Sequence, residues 1–400
     1  MKEAKDMKEG WEYKKLGEVA DFYRGLTYGK QDEAISSDVC VLRSNNIDME
    51  SMSLNFDEIK YLSPDFVIPE DKKLKGNSIF ICMSNGSKQH VGKVAFVEND
   101  MDYAFGGFMG LITPSKEVSA KYVYYACRSP LYRVFLTSIG NGIGITNLKF
   151  TDLYNFSFPM PKLSHQQQIV SELDLLSGVI EKQKAQLAEL DKLAQSIFYD
   201  MFGDPVTNEK GWEVKKIKDI CKVITGNTPS RNNLEYYNEE YIEWIKTDNI
   251  LRDSLYPSLA KEYLSEEGAK QGRIADVGSI LIACIAGSLE SISKCCLLNR
   301  KVSFNQQINA LVPKEDMNSL FVYSLVNAIA DYIRENTTNG MKHIITKSVL
   351  EEIRICVPPL SLQQDFAAKV EAIEAMKAKV RQSLKEAETL FNERMDYYFN

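Results

Sequence analysis

Histidine is scarce in this chain, with three in 400 residues, which leaves little imidazole from which to build a zinc site. The eight cysteines include no CxxC pair, and Cys295 and Cys296 are adjacent. Neither a disulfide framework nor a bound metal is expected; reduced, mostly buried thiols are. No apolar run approaches the roughly 18–20 residues of a membrane span. Residues 1–10 alternate charges without the apolar stretch of a signal peptide. The chain therefore reads as cytoplasmic, with no membrane partner. A GxxxxGK[ST] phosphate loop is missing, so ATP binding is not expected. Also missing are an Asn-Pro-Pro-Tyr-like tetrad and a glycine loop entered by a clear strand. Those absences exclude a self-sufficient methyltransferase. Gly140-Asn141-Gly142-Ile143-Gly144 is dense in glycine, but it reads as a flexible loop beside DNA or a partner and not as a cofactor cradle.

What is present has the make-up of a globular protein, 44% apolar and 26% charged, long enough for two or three domains. The net charge is −7. Residues 11–160 hold 16 Lys and Arg against 18 Asp and Glu, and residues 212–358 hold 18 against 19. Neither half is basic. Phosphate neutralisation drives affinity for duplex nucleic acid, so a duplex-binding chain of this kind binds weakly alone and draws positive charge from a partner.

The sequence is written twice. Gly10-Trp11-Glu12-Tyr13-Lys14-Lys15-Leu16 recurs as Gly211-Trp212-Glu213-Val214-Lys215-Lys216-Ile217. Ser78-Ile79-Phe80-Ile81 recurs as Ser279-Ile280-Leu281-Ile282, and Val41-Leu42-Arg43-Ser44-Asn45-Asn46-Ile47 echoes Trp244-Ile245-Lys246-Thr247-Asp248-Asn249-Ile250. Leu163-Ser164-His165-Gln166-Gln167 and Leu360-Ser361-Leu362-Gln363-Gln364 close the two copies. So many matches in one order mark a tandem duplication. Within each copy about 150 residues alternate short β-branched runs, as at 79–83 and 280–283, with helical stretches near 122–133 and 320–334. Each is an α+β domain.

A long helix follows each domain. Ser164 with Gln167 and Ser361 with Gln364 fit a capping box just after prolines. Ile169, Leu173, Leu176, Ile180, Leu187, Leu190, Ala194, Ile197 and Met201 then fall on three- and four-residue steps, broken only by Gln183. Phe366, Val370, Ile373, Val380, Leu384, Ala387 and Phe391 do the same, with Lys377 as the intruder. That is the seam of a coiled coil, in which a polar intruder sits at an outer edge or fixes register. Each helix should run about 35 residues, so about 50 Å, with Gly203 and Pro205 stopping the first. Antiparallel pairing is the simplest arrangement, holding the domains apart. The expected order is domain 1 over 1–160, a helix within 161–205, domain 2 over 206–358 and a helix within 359–400.

This layout resembles the specificity subunits of type I restriction–modification systems over essentially its whole length. Phe202-Gly203-Asp204-Pro205 before Gly211-Trp212-Glu213-Val214-Lys215-Lys216 resembles that family's joint between central helix and second recognition domain. Thr225-Gly226-Asn227-Thr228-Pro229-Ser230 resembles a loop near the start of its recognition domains; copy one has Arg24-Gly25-Leu26-Thr27-Tyr28 instead. The resemblance implies two target-recognition domains, each reading half of a split sequence in double-stranded DNA. It implies helices that act as a ruler and seat two methyltransferase subunits, with motor-nuclease subunits joining for cleavage. AdoMet, ATP and Mg then belong to those partners, and this chain carries no cofactor and no catalysis.

Base edges are read by Arg and Lys on guanine and by Asn and Gln on adenine, carried mostly on loops. Copy one offers Arg24, Tyr28, Arg43, Asn45, Asn46, Asn85, Lys88 and Lys93. Copy two offers Thr228, Arg231, Lys246, Asn249, Lys294, Asn305, Gln306, Gln307, Lys342 and His343. For each, an ordinary surface or turn residue is the competing reading. Asn305-Gln306-Gln307 stands out as three consecutive amides, and copy one has Gly106-Gly107 in place of the glutamine pair, so the two heads should read different sequences. Pro64-Asp65 with Glu70-Asp71-Lys72 only superficially spells a nuclease: Pro69 interrupts it, and a solvated acidic loop accounts for it. His90 and His165 read as structural. A protein–protein adaptor without DNA contact, an acidic DNA mimic and an orphan specificity subunit are the alternatives. Interspersed Lys argues against the mimic.

Overall fold

The computed structural model describes residues 10–139, 146–338 and 342–400; the 140–144 glycine segment lies outside them. The chain divides into two compact units, Met1–Gln183 with Ser383–Asn400, and Lys184–Gln382.

In the first unit a four-stranded antiparallel sheet runs in the order Ala20–Arg24, Met109–Pro114, Ser78–Cys82, Val94–Val97. The strand Ser78–Cys82 is buried along its whole length, because both faces of this sheet are covered. Ile79 and Ile81 face the core that includes the helix Ala120–Ala126, and Phe80 and Cys82 face a second core. That is why its sequence is a continuous apolar run and not an alternation. The second core is shared with a five-stranded sheet, in which Cys40–Leu42 pairs in parallel with Met101–Phe105.

The second unit repeats this plan. Its four-stranded sheet runs Cys221–Thr225, Ile308–Pro313, Ile280–Ala283, Cys295–Leu297. The parallel pair recurs as Ile242–Ile245 with Val302–Phe304. Two-stranded ribbons close both copies, Glu12–Lys15 with Ser157–Met160 and Glu213–Lys216 with Arg354–Val357. Gly10 and Gly211 precede these ribbons with φ of +83° and +69°, a conformation that favours glycine. The duplication is thus a duplication of fold: two α+β domains and two long helices.

The helices span Leu163–Phe202 and Leu360–Phe399, 40 residues each, about 60 Å at 1.5 Å per residue. They begin one residue before the serines read as caps, so Ser164 and Ser361 lie inside the first turn and no capping box forms. The working residue is the first glutamine of each pair. Gln166 accepts from the Ser119 backbone N–H at 2.9 Å and donates to the Pro161 carbonyl at 2.8 Å. Gln363 accepts from the Asn318 N–H at 2.9 Å and donates to the Pro358 carbonyl at 2.9 Å. Ser119 and Asn318 are themselves the N-caps of the helices Ala120–Ala126 and Ser319–Ala328. Each long helix is thereby tied to the domain that precedes it. Gly203, with φ of +71°, ends the first helix, and the Trp212 indole N–H donates to the Phe202 carbonyl at 2.9 Å.

Within each unit the helical segments pair antiparallel. In the first, Glu172 accepts from the Tyr398 hydroxyl and the Arg394 guanidinium, and Gln183 donates to the Ser383 hydroxyl at 2.6 Å. In the second, Phe198 and Phe202 pack on Phe366, and Lys377 meets Asp191 at 2.6 Å. The seam is the one its 3.5-residue period predicts, and both polar intruders sit on it, not at an outer edge. Lys377 is 5% exposed, held between Asp191 and Glu374.

Candidate nucleic-acid interface

In each copy the site is assembled from one turn and one loop that crosses it. In the second copy the turn is 305–308, closed by the Ile308 N–H donating to the Asn305 carbonyl at 3.1 Å. Asn305, 6% exposed, braces it with its side chain: Nδ2 donates to Gln307 Oε1 and Oδ1 accepts from the Gln307 N–H, both at 3.1 Å. Gln306 is left exposed, with the Thr228 hydroxyl bonded to its Oε1. The crossing loop is held by Gly226 N–H to the Ile308 carbonyl at 3.0 Å and Asn227 N–H to the Phe304 carbonyl at 3.1 Å. A β-carbon on Gly226 would lie 2.1 Å from the Asn305 carbonyl oxygen, so this crossing admits only glycine.

Copy one builds the same crossing from a different sequence. Gly25 N–H donates to the Met109 carbonyl at 3.2 Å and Leu26 N–H to the Phe105 carbonyl at 2.6 Å. A β-carbon on Gly25 would lie 2.0 Å from the Gly106 carbonyl oxygen. The loops 24–28 and 225–230 are therefore one structural element, although little of their sequence matches.

Hydrogen bonding also corrects the alignment of the turns. The Phe108 carbonyl accepts from Met83 and Ser84 N–H at 2.9 and 3.1 Å, and the Gln307 carbonyl accepts from Cys284 and Ile285 N–H at 2.8 and 3.2 Å. Gln306-Gln307 thus stands opposite Gly107-Phe108, not Gly106-Gly107.

Beyond the second copy's loop, Arg231 stacks its guanidinium on Tyr237 and Trp244, 4.5 and 4.6 Å from the ring centres. It pairs with Glu262 at 2.6 Å, and Lys246 pairs with the same carboxylate while lying 5.0 Å from the Trp244 ring centre. The bond from Lys246, then that from Arg231, holds the Glu262 carboxyl below its ordinary range. Two cations are thus held at a fixed place on an aromatic floor by one shared carboxylate. Tyr237, Trp244 and Glu262 are the surroundings of two candidate readers that sequence reading missed; aromatic residues spaced along a mixed segment carry no signal until the fold stacks them.

Several predicted readers serve the fold instead. Asn46, fully buried, accepts from Arg43 N–H at 2.7 Å and donates to the Asn55 and Glu58 carbonyls at 2.9 and 3.0 Å. Asn249 does the same at the matching turn, bonding Lys246 N–H, the Ser258 hydroxyl and the Leu259 carbonyl. Buried amides closing a tight turn have no edge left for a base. Lys93, 5% exposed, donates to the Ile47 carbonyl at 2.8 Å, and burial lowers its amine below the usual value. Asn85 spends both ends of its amide on the Ser44 hydroxyl and the Ser87 N–H.

Of the others, Arg24, Arg43 and Asn45 are exposed and Tyr28 half-buried; Arg24 pairs with Gly110 beside the 106–109 turn, and Asn45 donates to Glu58. Arg43 lies beside Gly106. Tyr28 faces Arg43, its hydroxyl raised chiefly by burial. Lys88 is exposed in a separate turn, Lys88–His90. Lys294 is half-buried just before the edge strand Cys295–Leu297 of its sheet, its backbone carbonyl accepting from the Ala283 N–H at 2.8 Å. Lys342 is exposed and His343 half-buried in a short strand paired with Ile285–Ala286. That pairing brings it toward the 305–308 turn, which holds Ile285 N–H through the Gln307 carbonyl. The acidic stretch at 70–72 is a strut: Lys72 donates to the Arg24 carbonyl at 3.0 Å and Lys73 pairs with Glu70 at 2.8 Å.

Among the described residues no cluster of His, Cys, Asp and Glu could hold a metal, and no helix is long and apolar enough to cross a membrane. The cysteines are free, and all but Cys40 are buried; burial pushes the Cys284 thiol up to about 12.

A sequence profile described as the type I restriction modification DNA specificity domain matches residues 8–192 and 209–388. The chain is 24% identical over 395 residues to the specificity subunit of the EcoKI type I restriction enzyme of Escherichia coli strain K12, covering 91% of this chain and 82% of that one. It is 23% identical to the putative MjaX type I specificity subunit of Methanocaldococcus jannaschii, over 96% of this chain and 92% of that one. Among solved structures, the S subunit of a type I restriction–modification system from M. genitalium superposes with a TM-score of 0.59 at 13% identity, over 100% of this chain and 98% of that one.

Proposed function

Since the chain belongs to the type I restriction–modification DNA specificity family, whose profile covers both copies, we propose that each head reads one half of a bipartite target in double-stranded DNA. The observation that carries this is the repeated glycine crossing at Gly25 and Gly226, one backbone frame presenting different side chains in the two copies. A frame held constant while its readers vary is what two half-sites of different sequence require. The long helices set the number of unread base pairs between the half-sites and seat two methyltransferase subunits.

Catalysis resides in those partners. They bring AdoMet for adenine-N6 methylation, and motor-nuclease subunits bring ATP and Mg for cleavage. With a net charge of −7, this chain supplies sequence discrimination, and its partners supply most of the phosphate contact. The working place is the cytoplasm, beside chromosomal DNA.

Two assays test the proposal. Purified alone, the chain transfers no methyl group from labelled AdoMet to plasmid DNA; transfer without partners contradicts it. Combined with methyltransferase subunits, it retards a selected duplex at concentrations that leave random duplex free. Equal retardation of both identifies an adaptor and not a reader.

A further inference from the structure

Phe108 is 72% exposed, whereas Phe105, three residues earlier on the same segment, is fully buried. A lone exposed aromatic is common on protein surfaces; its position gives this one meaning. Phe108 occupies the third place of the 106–109 turn, closed by the Met109 N–H donating to the Gly106 carbonyl at 2.8 Å. Gln307 occupies the third place of the matching turn in the second head. There Asn305 gives Gln307 a side chain to fold back on. Gly106 gives Phe108 none.

The surroundings are polar. The turn backbone abuts Arg43 through Gly106, and Asn85 follows Ser84, whose N–H is held by the Phe108 carbonyl. An exposed aromatic tip on this turn offers apolar contact and no hydrogen bond. In the major groove the one apolar feature of a base-pair edge is the thymine 5-methyl group.

We propose that Phe108 is a specificity-determining residue of the first head, recognising a thymine 5-methyl group in its half-site. This rests on the reading of the heads as DNA readers. It predicts that the first half-site contains a thymine, on either strand, whose methyl group matters and whose hydrogen-bonding edge does not.

The test uses the full chain assembled with its methyltransferase subunits and duplexes carrying its methylated motif. The first head's half-site is the one whose recognition Gln306→Ala leaves intact. Each thymine is replaced in turn by deoxyuridine, which removes only the methyl group, and Kd is measured. At one position in the first half-site the wild-type complex weakens roughly fourfold, the worth of one buried methyl. Phe108→Ala loses that sensitivity, Phe108→Leu keeps most of it, and neither changes the second half-site. Absence of any thymine whose substitution effect depends on Phe108 overturns the proposal. So does failure of Phe108→Ala to assemble with the methyltransferase subunits, which would make Phe108 a protein contact. If the wild-type complex has no sequence-specific target at all, the DNA-reading function itself falls.

Discussion

Gln363 accepts a hydrogen bond from the backbone N–H of Asn318 at 2.9 Å while 1% exposed. The N-cap residue of one helix is thereby satisfied by the first turn of another, 45 residues away in sequence.

Gln363→Ala leaves the Asn318 N–H and the Pro358 carbonyl without a buried partner. It should destabilise the chain by about 1–3 kcal/mol, read as a shifted urea midpoint with unchanged slope. Gln364→Ala, at the exposed neighbour, should leave the midpoint where it was. Equal effects would make the glutamine pair a generic helix start and not a clamp.

Lys377 is the charged residue on the second helix's seam, its ammonium between Asp191 and Glu374. Lys377→Met keeps the stem's packing and removes the charge, so stability should change by less than about 1 kcal/mol. Lys377→Glu gathers three carboxylates and should cost about 3 kcal/mol or more. Chemical denaturation of both variants decides; a large loss in Lys377→Met would mean that the ion pairs stabilise far beyond packing.

Glu262 pairs with both Arg231 and Lys246, so on the proposed reading it would compete with DNA for them. Glu262→Gln should raise affinity for duplex DNA at low salt and steepen its salt dependence. Arg231→Ala should lower affinity, and if the guanidinium meets a phosphate the slope should fall by about one. Titrations of the complex over a salt series check both; an unchanged slope in both variants places this cluster away from DNA.

The helices should set the spacer. Four residues inserted between Glu189 and Leu190 lengthen the first helix by about 6 Å while nearly keeping its seam face. The gap between half-sites should widen by about one or two base pairs at roughly 3.4 Å each. Two residues inserted there turn the seam by about 200° and should abolish assembly. A functional four-residue variant with an unchanged gap would leave the helices only a connecting role.

The seams were legible because a 3.5-residue period survives interruption by Gln183 and Lys377. The buried strands were legible as short β-branched runs. The glutamines misled: Ser164 and Ser361 satisfy the local capping pattern, while the partners of Gln166 and Gln363 lie far away in sequence. Asn46 and Asn249 misled for a related reason, since an amide that closes a turn and one that reads a base look alike until burial separates them. Phe108 was hidden by an alignment shifted by one residue, which only the carbonyl bonds to Met83 and Ser84 correct.

The most direct test of the account is the methylated motif itself. Single-molecule sequencing of cells carrying the partner subunits, with this chain or its Gln306→Ala variant, reads both half-sites at once. The wild type should give a two-part motif with an unread gap. Gln306 is the exposed amide of its turn, and a paired amide contributes about 1–3 kcal/mol of discrimination. The variant should therefore relax one half-site at one or two positions and leave the other half-site and the gap unchanged. A motif in one piece, or equal relaxation of both halves, would contradict the claim that each copy reads its own half.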